Sequence, residues 1–70
     1  MNADHADIID YLLEGKEVTA KYAIRTLINK DKGFEEMATL TGIPSKSIHR
    51  MLSINGNPTS RNLFLILRNL

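Results

Sequence analysis

Between Ser45 and Arg50, five of six consecutive side chains can hydrogen-bond: Ser45, Lys46, Ser47, His49 and Arg50, around the apolar Ile48. Lys46 and Arg50 are four residues apart, one turn of a helix, so on a helix both cations emerge from one face. Such a face suits oxyanions and the acceptor-rich edges of base pairs. An arginine there can pair with guanine O6 and N7 at about 1 to 3 kcal/mol of discrimination. Ser45 and Ser47 add hydroxyls for a phosphate or a base edge, and His49 adds a ring N–H. Further on, Asn55, Asn57 and Arg61 surround the start of a later helix, whose amino end offers backbone amides to a phosphate. Each residue also has a plainer use: cations solvate a surface, a serine caps a helix, and Asn-Gly-Asn supplies turn backbone.

The positioning elements are legible around this stretch. The segment from Phe34 to Leu52, FEEMATLTGIPSKSIHRML, has the residues that two short helices crossing at a sharp turn require. Ala38 is small where the second helix crosses the first, Gly42 tolerates positive φ in the turn, and Met37, Ile43, Ile48 and Met51 anchor both helices. Pro44 discourages Ile43 from continuing the first helix, and Ser45 is the expected N-cap of the second. A helix-turn-helix over 34–52 is therefore expected, with Ser45, Lys46, Ser47, His49 and Arg50 outward where a DNA major groove could receive them.

Before it, Ile8, Ile9, Leu12 and Leu13 recur at helical spacing, with Asp4 to cap and Gly15 to close an acidic helix within 1–16. Ala20, Ala23, Ile24, Leu27 and Ile28 form the stripe of a second helix, which stops at Asn29-Lys30-Asp31-Lys32-Gly33. After it, Asn55-Gly56-Asn57-Pro58 breaks the chain and Thr59 caps a final helix over 59–70. Leu63, Phe64, Leu65, Ile66 and Leu67 in succession exceed what one core-facing stripe can use, so something beyond the chain's own core is expected to cover the surplus. A strand over the same five residues is the alternative on periodicity, disfavoured by the Thr59-Ser60 start and the polar flanks. The expectation is an all-α single domain, 1–70, of five helices.

Composition narrows the function classes. The chain has 70 residues and no cysteine, so neither disulfides nor thiolate metal sites contribute, which fits a reducing cytoplasm. Its longest apolar run is far below a membrane span, and no basic segment precedes an apolar one at the start. The formal net charge of +1 conceals segregation. Up to Glu17 there are five acids, Asp4, Asp7, Asp10, Glu14 and Glu17, against Lys16 alone; from Ile43 onward there are four cations, Lys46, Arg50, Arg61 and Arg68, and no acid. The basic half holds the proposed recognition helix, the distribution a phosphate-facing surface requires. His5 and His49 are far apart, no third ligand accompanies either, and the carboxylates cluster on a helix with a committed apolar face. No enzyme, metal or cofactor is expected.

The run TGIPSKSIHRMLSINGNPTSRNLFLILRNL resembles the lambda-repressor-like helix-turn-helix proteins, and among them the HigA-like antidote proteins of type II toxin-antitoxin pairs. The likeness lies in a glycine, an aliphatic residue, a capping serine, a recognition helix, a Gly-Asn-Pro loop and a leucine-rich last helix. It implies five helices, a homodimer on a palindromic double-stranded DNA operator, repression of its own operon, and neutralisation of a small basic toxin. Glu35 and Glu36, at the start of the motif's first helix, depart from the Gln, Arg or Lys that relatives often carry near a phosphate. The alternatives are a stand-alone phage or chromosomal repressor, and a protein-interaction module that keeps the fold without binding DNA, using Glu35, Glu36 and the acidic helix against a basic partner.

Overall fold

The computed structural model describes residues 5–70. Over them the chain forms five helices, α1 (His5–Leu13), α2 (Glu17–Asp31), α3 (Gly33–Thr41), α4 (Ser45–Met51) and α5 (Ser60–Arg68), and no strand. The residues Leu63 to Leu67 are helical, which rejects the strand alternative. The expected cap Asp4 lies outside the described residues.

Each helix turns one stripe inward. Ile8, Ala23, Ile24, Ile28, Met37, Ile48, Leu52 and Ile66 form one buried cluster drawing on every helix or its end, with Ala20 also buried. Helix α2 packs on α1 and α3, and α3 on α4 and α5. On α1 the inward stripe is Ile8, Tyr11 and Leu12, whereas Ile9 and Leu13 are 51% and 81% exposed. This corrects the expected apolar set. A nine-residue helix has one inward stripe at i, i+3 and i+4, and the tyrosine occupies it in place of the two aliphatics. On α5 the stripe is Leu63, Ile66, Leu67 and then Leu70, and Phe64 is left 66% exposed.

The helix ends show what fixes the chain's direction. Helix α1 closes with Gly15 at φ 75°, Lys16 N–H donating to the Tyr11 carbonyl at 2.8 Å and Gly15 N–H to that of Leu12 at 3.1 Å, the paired bonds of a Schellman cap. Helix α5 starts with Thr59 Oγ1 accepting from the Asn62 amide at 3.2 Å, as expected. Helix α4 does not start as expected. Pro44 is its N-cap, its carbonyl accepting from the Ser47 and Ile48 amides at 2.9 and 3.1 Å, and no side chain caps the helix. Ser45 is already the first helical residue, one place past the capping position, and its hydroxyl makes no cap bond to the helix's free amides.

The loop leaving α4 brings a second correction. Positive φ occurs only at Gly15, Gly33 and Gly42 among the described residues, so Asn55, Gly56 and Asn57 meet no unusual backbone angle. Gly56 is required for space: a Cβ there would overlap the backbone carbonyls of Arg50 and Met51. The loop is pinned from α2, where the Lys21 ammonium donates to the carbonyl oxygens of Gly56 and, at 3.4 and 3.5 Å, of Ser53 and Ile54. No helix of the described residues is long and apolar enough to cross a membrane.

Candidate nucleic-acid interface

Helix α4 is held by its inner face and its two ends. Ile48 and the following Leu52 are buried, and Met51 packs half-buried against the same cluster. At its start, Gly42 at φ 75° donates to the Ala38 carbonyl at 2.9 Å, and Thr41 Oγ1 bridges the Met37 carbonyl at 2.8 Å and the Ile43 amide at 3.2 Å. This turn, closed by main-chain and threonine bonds, sets the angle at which α4 leaves α3. At its end, Ser53 Oγ donates to the Arg50 carbonyl at 2.7 Å.

With Ile48 committed inward, Lys46, His49 and Arg50 are exposed, and Ser45 and Ser47 are half-buried beside them. Five expected residues thus share one short helix, about 10 Å long at 1.5 Å per residue. Asn55, Asn57 and Arg61 are also exposed, but they follow the carboxyl end of α4. Among the described residues no hydrogen bond joins their side chains to those of α4; the loop packs there through Gly56, and α5 is tied through the Asn62 side-chain Nδ2, which donates to Met51 Sδ at 3.6 Å.

The cations of α4 form no ion pair among the described residues. Among the described residues the only ion pair is Lys16 with Glu14 at 2.9 Å, both exposed, and the hydrogen bond and charge of Glu14 hold the Lys16 ammonium above its ordinary 10.5. Lys46, Arg50 and Arg61 have no carboxylate partner there. Arg50 also lies in the last turn of α4, where positive charge complements the helix dipole by about 0.3 to 1 kcal/mol. That benefit is local and does not extend to Lys46, at the opposite end, which makes no hydrogen bond or ion pair among the described residues.

Two features were not read from the sequence. The His49 ring stacks on Phe34, with centroids 3.8 Å apart and planes 16° from parallel, so the imidazole is held at the surface by a side chain from the start of α3. Beside this pair lies a groove bounded by Tyr22, Arg25, Thr26 and Asn29 of α2. Those four are spaced i, i+3, i+4 and i+7, a second stripe on the side of α2 opposite its core residues. That spacing was visible in the sequence; its meeting with Phe34 and His49 was not.

Comparison with protein-family models, curated proteins and solved structures finds no match to this chain.

Proposed function

We propose that this chain binds duplex DNA in a sequence-specific manner, presenting α4 to the major groove as the second helix of a lambda-repressor-like helix-turn-helix, and that it serves as an antitoxin repressing its own operon. The observation that carries the DNA reading is the outer face of α4. Lys46, His49 and Arg50 project from it without acidic partners among the described residues, while Ile48 and Leu52 fasten the other side to the core. A rigid helix offering free cations and hydroxyls meets what base-edge and phosphate contacts need.

In this reading Lys46 and Arg50 address base edges and the near phosphates, Ser45 and Ser47 supply short hydroxyl contacts, and His49 donates from a fixed ring. Asn55, Asn57 and Arg61 contact the sugar-phosphate wall. The exposed Phe64 of α5 gives a homodimer part of its interface, and two α4 helices about 34 Å apart would read a palindromic operator. The antitoxin role rests on the family resemblance alone; it predicts that a small basic toxin encoded alongside copurifies with the chain.

Mobility shift at several salt concentrations tests the DNA reading. A specific complex loses affinity with a log-log slope near −0.9 per phosphate neutralised, and Lys46→Ala with Arg50→Ala abolishes discrimination between a selected duplex and an unrelated one. One observation favours a second reading: Glu35 and Glu36 are both exposed in the first turn of α3, and anions there repel phosphate. A protein-interaction module predicts tight binding to a basic partner and no DNA shift even at low salt.

A further inference from the structure

The groove between α2 and the α3–α4 corner holds about 300 Å³ and is lined by Tyr22, Arg25, Thr26, Asn29, Phe34 and His49, none of them acidic. Arg25 is half-buried, its guanidinium 5.8 Å from the centroid of the Tyr22 ring beneath it, and no carboxylate pairs with it among the described residues. The Thr26 hydroxyl is spent on the Tyr22 carbonyl at 2.9 Å. The donors left for a ligand are the Arg25 guanidinium, the Asn29 amide, the Tyr22 hydroxyl and the His49 ring N–H. A guanidinium beside neutral N–H and O–H donors, with no carboxylate in the lining, matches an oxyanion, while the Tyr22 and Phe34 faces are occupied by Arg25 and His49 and orient those two donors.

We infer that this groove seats one backbone phosphate of the duplex whose major groove receives α4, with Arg25 as its charged donor. The placement follows from dimensions. A helix with its side chains is about 10 to 12 Å across and the major groove about 12 Å wide, so a helix fills the groove and the protein surface flanking it meets the sugar-phosphate wall. His49 belongs to both surfaces: it is a lining residue of this groove and lies one turn from Lys46 on α4. The Phe34 stack fixes it at that junction. Arg25 is thereby a register-setting contact supplied from outside the helix-turn-helix, carrying no base information.

The inference rests on the DNA-binding reading, and its test separates the two. The full chain is titrated with a short duplex selected from a random library and with an unrelated duplex, across a salt series, as wild type, Arg25→Gln, Arg25→Lys and Lys46→Ala/Arg50→Ala. Arg25→Gln should bind both duplexes roughly three- to tenfold more weakly at about 0.1 M salt, with the slope shallower by about one unit and the preference between them unchanged. Arg25→Lys should restore the slope. A purely structural role for Arg25 would lower the melting temperature without moving the slope. If Arg25→Gln keeps the wild-type slope and affinity while Lys46→Ala/Arg50→Ala loses discrimination, the phosphate seat is wrong and the DNA reading stands. If Arg25→Gln does not fold, Asn29→Ala with Arg25→Lys must weaken both duplexes alike, and wild-type affinity in that pair overturns the seat. A wild-type chain that shifts neither duplex at low salt overturns both.

Discussion

The turn that enters α4 and the loop that leaves it each depend on a glycine, for opposite reasons. Gly42 has φ 75° and open space where its side chain would be; Gly56 has an ordinary backbone angle and no space at all. The first is a conformational requirement that another αL-tolerant residue partly meets. The second is a packing requirement that no side chain meets. Together they fix the two ends of the helix whose outer face carries the candidate contacts.

Substitutions can break this contrast, and Gly56→Ala should have the largest effect. Overlap with the carbonyls of α4 forces the loop away, at about 3 kcal/mol, and Gly56→Asn should be no better; chemical denaturation reads both. Lys21→Met removes the charged donor that ties the same loop to α2 and should cost about 1.5 kcal/mol, with the midpoint falling and the denaturant slope unchanged. Gly42→Ala should cost about 1 kcal/mol, because only the backbone angle is strained, and Gly42→Asn should recover part of that loss. Recovery by Asn at both positions would mean that Gly56 is not there for space. The smallest effects separate the two helix starts: Thr59→Ala should lose about 1 kcal/mol as a true cap, whereas Ser45→Ala should stay within about 0.5 kcal/mol. A Ser45→Ala loss equal to that of Thr59→Ala would restore serine as the cap of α4.

These contrasts show which parts of the molecule were legible in the sequence. Core positions such as Ile24, Ile28, Met37 and Ile48 followed from spacing, because burial on a helix repeats with its own period, whereas Ile66 was not told apart from its four apolar neighbours. Gly42 and Thr59 followed from local rules that involve only near neighbours in the chain. Ser45 was misplaced by one position because Pro44 also fits an N-cap, and the two differ only in which carbonyl first enters the helix. Gly56, Lys21 and the Phe34–His49 stack depend on contacts made when distant segments meet, the Lys21 ammonium reaching a carbonyl 35 residues away. No local period encodes those. The exposure of Lys46, His49 and Arg50 on α4 was legible because Ile48 must be buried, which turns them outward, whereas Ser45 and Ser47 are half-buried. The adjoining groove was half legible, as a polar stripe on α2 without its partners.

The central claim is that α4 meets duplex DNA through Lys46 and Arg50. The most direct measurement is the salt-dependent affinity of the wild-type chain and the Lys46→Ala/Arg50→Ala variant for a duplex that the wild type itself selects. The account predicts a steep negative slope and clear sequence preference for the wild type, with the preference lost in a variant that melts at nearly the same temperature. Equal affinity and equal preference for the folded variant would contradict it.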